Sequence, residues 1–286
     1  MAEAHLTPRR PAAAVWPRVR RTAFRWTLRA IVVGYLFLLV AWPLSLVARE
    51  ALDGGVGRIQ ELFDDPAVVH ALRLTVVVAL WAVALNTVFG VGISILLVRY
   101  RFPGKRLLSA LLDLPLSVSP VVVGLALVLV YGGRSGWIGP TLEDAGIRVI
   151  FATPGMVLAT AFVALPLVIR EVVPVLEEVG VEQEQAAQSL GASALQRFRR
   201  ITLPSIKWAV VYGVVLSLAR SLGEFGAVKV VSGNVLGETR TATLVVEEKY
   251  LNFDKGGAYA TAFLLALISV ACIVVVSLIR PKEGSR

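Results

Sequence analysis

Six separated apolar runs, each long enough to cross a bilayer, constrain this chain more than any other feature it has. A hydrocarbon core takes roughly 20 residues of helix to span, and the runs fall near residues 28–48, 73–98, 107–131, 152–174, 205–230 and 257–279. They are continuous rather than alternating, the pattern of membrane helices. The expected fold class is therefore an all-α membrane protein with about six transmembrane helices. Composition agrees, since 56% hydrophobic against 17% charged residues exceeds what a soluble domain carries.

The net charge of +9 raises the question of nucleic acid, but the cations are sorted by loop. Arg9, Arg10, Arg18, Arg20, Arg21, Arg25 and Arg29 precede or open the first run; Arg99, Arg101, Lys105 and Arg106 follow the second. Arg197, Arg199, Arg200 and Lys207 precede the fifth, and Arg280, Lys282 and Arg286 end the chain. The alternate loops are acidic, as at Glu50, Asp53, Glu61, Asp64 and Asp65. By the positive-inside rule this places both termini in the cytoplasm, with no nucleic-acid partner needed. A cleavable signal peptide is the alternative for the basic N-terminus, but the apolar run is too long and ends in Leu46-Val47-Ala48 rather than a small-x-small site. It is read as an uncleaved first span. The expected organisation is a basic disordered cytoplasmic leader over 1–27, a first helix and external loop over 28–71, a core over 72–279 and a cytoplasmic tail over 280–286.

Between the fourth and fifth runs lies a polar and basic segment, Gln185 to Pro204. Gly191 suits the left-handed position that ends a helix, and Ser193 with Gln196 three residues on forms a capping box that starts another. Pro204 falls where the first turn of a helix tolerates proline. Helix, break, helix is the expectation. Ala186 and Ala187 permit close approach of another surface, while Leu195 and Phe198 oppose Arg197, Arg199 and Arg200. Two readings fit: a docking element, or a connector lying on the membrane with its arginines on lipid phosphates.

Polar residues at membrane depth are costly, a centrally placed charge by about 2.5–3.5 kcal/mol on insertion scales. The fifth run nevertheless holds Arg220, Glu224 and Lys229. At 100° per residue Gly213, Ser217, Arg220 and Glu224 share one stripe, opposite Val211, Val215, Leu218, Leu222 and Phe225. Arg220 and Glu224 are spaced as an ion pair, read either as a packing device or as the lining of an anion path. The third run carries Asp113-Leu114-Pro115-Leu116-Ser117-Val118-Ser119-Pro120. Its prolines predict a kinked helix, and Ser117 and Ser119 offer hydroxyls to freed backbone or to a solute. The fourth run adds Pro166 and Pro174 near Arg170 and Glu171.

Other chemistry is not indicated. Gly104-Lys105-Arg106 lacks the glycine spacing and the Ser/Thr of a phosphate-binding loop, His5 and His70 are far apart with no cluster of metal ligands, and Cys272 is a single thiol in the last run. No catalytic residue, metal or cofactor is expected in this chain.

The segment Ala186-Ala187, three residues, Gly191, nine residues, Ile201-x-Leu203-Pro204 resembles the coupling loop of bacterial ABC-importer permeases, which reads Glu-Ala-Ala, Gly, Ile-x-Leu-Pro at those spacings. The departure is Gln185 at the Glu position, with Glu184 one residue earlier. Asp113 to Val123, Thr153 to Leu158, Arg170 to Val175, Ala219 to Val228 and Val231-Ser232-Gly233 are similar to the sulfate/thiosulfate branch. Molybdate and tungstate permeases share a similar Arg-x-Leu-Gly-Glu-Phe-Gly and are the alternative; a secondary transporter or membrane enzyme would not need the loop spacing.

The resemblance implies a type I ABC-importer permease in the bacterial inner membrane, moving sulfate or thiosulfate. Its partners would be a sister permease in a heterodimer, two ABC ATPase subunits that bind the ATP and Mg, an extracytoplasmic sulfate-binding protein and membrane lipid. It would place ATPase coupling on segment 182–204, at Glu184, Gln185, Ala186, Ala187, Gly191, Ile201, Leu203 and Pro204. The translocation-path candidates are Ser117, Ser119, Ser217, Arg220 and Glu224.

Overall fold

A computed structural model describes residues 18–53 and 55–279 of the chain. The expectations for residues 1–17 and 280–286, and for the Cys272 side chain, lie outside the described residues. The described chain divides into two compact units, one ending at Arg49 and the other starting at Glu50.

The described part of the N-terminal unit belongs to a single helical run whose last residues, Glu50 to Leu52, fall in the second unit. Helix α1 (Arg18–Leu36) passes through a π-turn at Phe37–Ala41 into α2 (Trp42–Leu52). The turn closes with Trp42 N–H on the Phe37 carbonyl just before Pro43, whose ring would clash with a regular carbonyl four residues back. Residues 18–27, expected in a disordered leader, instead extend this helix, because adding a turn to an existing helix costs little once it is nucleated. Its apolar stretch, Phe24–Leu52, is 29 residues long with none of its most apolar window buried.

In the second unit, α3 (Gly55–Asp64) leads into the 34-residue α4 (Pro66–Arg99). The Asp65 carboxylate caps α4 by accepting from Ala67 N–H at 2.9 Å, and Pro66 stands in the first turn, where its missing N–H is harmless. The third run does not form one kinked helix. It is two, α5 (Lys105–Ser117) and α6 (Pro120–Tyr131), bent by 115°. Pro115 is absorbed within α5; the break comes at Val118 and Ser119, both extended (ψ 136° and 134°), as a residue before proline prefers. A short α7 (Gly139–Asp144) then precedes α8 (Thr153–Val179), which runs through Pro166 and Pro174 uninterrupted.

Beyond α8 come α9 (Glu182–Ser189) and α10 (Ala194–Arg197), the latter continuing through a second π-turn, Phe198–Thr202, into α11 (Leu203–Leu222). The fifth run was expected to be helical to residue 230. Instead α11 stops at Leu222, a turn follows at Gly223–Phe225, and α12 (Gly226–Ser232) sets off separately. The Glu224 carboxylate accepts from Ala227 N–H at 3.0 Å, capping α12, which is why the helix restarts there. Helices α13 (Ala242–Leu251) and α14 (Lys255–Ile279) complete the chain. Among the described residues four helices are long and apolar enough to span, and α5 with α6 makes a fifth span if counted as one. Helix α14 carries the sixth apolar run.

Helices α4, α8 and α11 pack on one another and form the centre. Small residues set their spacing. A Cβ on Gly90 would lie 2.9 Å from Val168 Cβ, and one on Gly213 would lie 2.8 Å from Val168 Cα. The fully buried Val168 thus fills the gap left by two glycines, one on each neighbouring helix. Similarly Gly124 lets α6 approach α12, with Ala227 O only 2.9 Å from where a Cβ would stand. Val91, Val168, Val172, Leu176, Ile206 and Ala209 form the core toward one end of the bundle. Leu74, Val78, Met156, Val163, Val228 and Val231 form it toward the other.

Candidate coupling elbow and polar break

At the end of the bundle where α4 and α8 finish and α11 begins, α9 and α10 form an elbow. Helix α9 closes with Gly191 N–H on the Gln188 carbonyl (2.9 Å) and Ala192 N–H on the Ala187 carbonyl (3.0 Å), the paired bonds of a Schellman turn. That turn requires a left-handed residue, and Gly191 has φ +85°. Ser193 then opens α10: its hydroxyl accepts from Gln196 N–H at 3.3 Å, and Gln196 Oε1 accepts from Ser193 N–H at 2.8 Å. Pro204 sits in the first turn of α11, immediately after the π-turn that accommodates its ring. Helix α10 is therefore not free-standing; it is the rigid extension of α11, a continuous 29-residue helical run from Ala194 to Leu222.

The predicted coupling residues divide by position. Ala187, Gly191 and Ile201 line one groove of about 520 Å³, together with Leu190 and Arg200. Leu190 at the tip is 89% exposed, far more than an apolar side chain needs to be unless something covers it. Ala186, Leu203 and Pro204 are exposed outside that groove, while Gln185 borders a second cavity of about 430 Å³ between α9 and α10. Glu184 faces inward. Its Oε1 accepts from Arg99 Nη2 at 3.1 Å, Arg99 Nε at 3.3 Å and Thr202 Oγ1 at 2.9 Å, while Arg99 Nη1 also donates to the Leu176 carbonyl at 3.0 Å. Arg99 and Thr202 were not anticipated. The first lies 85 residues from Glu184 and the second hides inside the Ile-x-Leu-Pro motif, so no local pattern announces either.

The polar residues of the membrane interior also separate. Ser217 is fully buried, its hydroxyl 3.4 Å from Asn86 Nδ2 on α4, and Gly213 is pressed against α8. These two belong to helix packing. The face expected to oppose them is buried as well at Val215 and Leu222, because α4, α8 and α14 all pack against α11. Glu224, beyond the end of α11, is 4% exposed, with Oε2 2.8 Å from Arg220 Nη1. That contact is at ion-pair distance but not aligned as a hydrogen bond, so Oε2 is held by charge alone. The Arg220 side chain is 39% exposed. Lys229 is not a membrane charge on the same helix but lies on α12, ion-paired with Glu247.

The two helix breaks adjoin. A Cβ on Gly226 would lie 3.1 Å from Pro120 Cβ, which brings the start of α6 against the start of α12. Ser117 and Ser119 are exposed at this bend, and Ser119 gives α6 no side-chain cap. Asp113, on α5, pairs with Arg170 on α8 at 2.9 Å, both largely exposed.

Residues 87–283 match the protein family described as "Binding-protein-dependent transport system inner membrane component". The chain belongs to this family. This permease is 47% identical over 257 residues to the sulfate transport system permease protein CysW of Synechococcus elongatus, covering 90% of each chain. It is 36% identical to the sulfate transport system permease protein CysT of Salmonella typhimurium, covering 88% of this chain and 91% of that one. Among solved structures, it superposes on a chain of a bacterial alginate ABC transporter in complex with an alginate pentasaccharide-bound periplasmic protein. The TM-score is 0.75 over 92% of this chain and 96% of that one, at 15% identity, a likeness of fold alone. The permease is thus a multi-pass inner-membrane subunit of an ABC importer.

Proposed function

We propose that this permease carries sulfate, with thiosulfate as a second substrate, into the cytoplasm, and that ATP hydrolysis is performed by separate subunits. The sulfate assignment rests on its likeness, over nine-tenths of its length, to a sulfate permease. Both termini and the elbow lie in the cytoplasm in this reading, in keeping with the cation-rich loops. The chain holds no cofactor; ATP and Mg belong to two ATPase subunits that dock on the elbow. An extracytoplasmic binding protein delivers the anion at the other end. A sister permease of the CysT kind completes the pathway as a heterodimer.

The observation that carries coupling is the elbow itself. Ala187, Gly191 and Ile201 line a groove edged by Gln196, Arg197 and Arg200, with Leu190 as an exposed apolar knob, while α10 continues through the π-turn into α11. Movement of a bound ATPase is then delivered directly to the central helix. Binding of ATP would draw the elbows of the two permeases together and switch the pair between inward- and outward-open states. At the far end of that lever lies the half-exposed Arg220, paired with buried Glu224, and the turn that carries Glu224 leads into α12 where Gly226 meets Pro120 of the α5/α6 break. A half-exposed cation at the end of α11, close in sequence to the junction of α12 with the uncapped start of α6, suits a passing oxyanion. Ser217 takes no part in the path.

Radiolabelled sulfate uptake into proteoliposomes holding both permeases, the ATPase and the binding protein tests this. Uptake should require ATP and be displaced by unlabelled thiosulfate but not by molybdate. Displacement by molybdate would favour the molybdate/tungstate reading. ATP-driven uptake with this permease as the sole membrane subunit would contradict heterodimerisation.

A further inference from the structure

Glu184 stands next to the position where the coupling motif carries its acid, and an outward role toward the ATPase would be the natural assignment. Its surroundings say otherwise. One carboxylate oxygen, Oε1, takes three donors from two helical segments, Arg99 at the last residue of α4 and Thr202 in the π-turn that opens α11. Arg99 in turn donates to the carbonyl of Leu176, near the end of α8. The Arg99 side chain is 9% exposed and that of Glu184 18%. Four elements, α4, α8, α9 and α11, thus meet at one charge-assisted cluster.

We infer that Glu184 is a positioning residue that works inward: it fastens α9 to the ends of the three central helices, so that displacement of the elbow moves them as one body. The alternative fastening is thin. Helix α9 has no buried residue, and a cavity of about 430 Å³ lies between it, α10 and the end of α4, bordered by Arg99, Glu184 and Thr202 as well as by Gln188 and Arg197. Without the cluster, α9 keeps the exposed Gln188–Arg197 bond to the lever but loses its side-chain tie to the ends of α4 and α8. Arg197 on α10 donates to Gln188 Oε1 on α9 at 2.6 Å, an exposed bond that ties α9 to the lever but not to α4 or α8, and its buried Nε has no hydrogen-bond partner among the described residues. Contact with the ATPase falls instead to the groove at Ala187, Gly191 and Ile201 and to the Leu190 tip, on which surfaces the reading of ATPase docking rests.

The test uses the full reconstituted complex and three readouts: ATPase retained by the tagged permease, binding-protein-stimulated ATP hydrolysis, and radiolabelled sulfate taken up per ATP. Glu184→Gln keeps the shape and an acceptor for Thr202 but removes the charge. It should retain the ATPase within about two-fold and lower uptake per ATP about ten-fold, the scale of one lost charge-assisted hydrogen bond. Arg99→Lys, which keeps the charge but not the fork, should fall between it and the unmodified chain. Glu184→Gln with Arg99→Met should be no worse than the more damaging of its two single variants, because the two residues act as a unit. Additive losses, unchanged uptake per ATP, or loss of ATPase retention from Glu184→Gln alone would overturn the proposal. Leu190→Asp separates the two readings. If it releases the ATPase while Glu184→Gln changes nothing, the inward joint alone fails; if it leaves retention intact, docking at the elbow fails and the joint with it.

Discussion

Gly191 offers the sharpest test of the elbow, because the reason for a glycine there is isolated. A Cβ added at this position meets nothing within 4 Å in this chain, so within the permease a larger residue is opposed only by its backbone conformation at φ +85°. For an ordinary L-residue that conformation costs about 1–2 kcal/mol. Asparagine, which tolerates the left-handed region, should cost less, and valine, branched at Cβ, more. The turn is held by two backbone hydrogen bonds, from Gly191 and Ala192, each worth about 1 kcal/mol net. Strain in Gly191→Val therefore equals or exceeds what holds the turn, whereas Gly191→Asn leaves it closed. The prediction is an order: Asn close to Gly, then Ala, then Val, in ATPase retention and in sulfate uptake by the reconstituted complex. Membrane insertion should be equal in all four, since the residue lies outside the spans. Normal uptake and ATPase retention by Gly191→Val would refute the reasoning, and so would an Asn variant as damaged as the Val variant, because then size rather than φ would matter.

Arg220→Ala leaves the buried Glu224 carboxylate with only Ala227 N–H, and should destabilise the protein by about 1–3 kcal/mol in a thermal-shift assay, the half-exposed arginine limiting the loss. Removing both charges should recover part of that stability; if the double variant also transports normally, Arg220 has no part in the path. Gly213→Ala places a Cβ 2.8 Å from Val168 Cα, a backbone atom that yields only if α8 moves, so a loss of about 1–3 kcal/mol is expected by the same assay; unchanged stability would mean that α8 and α11 are less closely packed than described. Ser217→Ala with Asn86→Leu removes both members of a long hydrogen bond and should leave uptake near normal, whereas abolished uptake would return Ser217 to the path.

Much of the elbow was legible in the sequence because its signals are local. A glycine at a helix end, a Ser-x-x-Gln capping box and a proline at a helix start each act within a few residues, and φ at Gly191, the Ser193 cap and the place of Pro204 follow from them. The apolar runs were equally plain, since bilayer thickness acts on length and composition alone. What hydropathy does not register is a break inside an apolar stretch. The turn at Gly223–Phe225 occurs within a run that looks continuous, the bend at Val118–Ser119 is far sharper than the kink its prolines predict, and the helical wheel that put Glu224 in line with Ser217 assumed a helix that ends two residues earlier.

The chain by itself thus determined that helices cross a membrane and that a capped, glycine-hinged elbow joins two of them, since both depend on neighbours in sequence. Only the tertiary structure decided what each polar residue faces. Ser217 and Arg220 lie three residues apart on one helix, yet one is sealed against Asn86 and the other stands half open. Glu184, beside the motif, turns to an arginine 85 residues away. Burial and ion pairing between distant segments depend on how α4, α8 and α11 close around Val168, and that close approach is set by glycines whose partners no local pattern names.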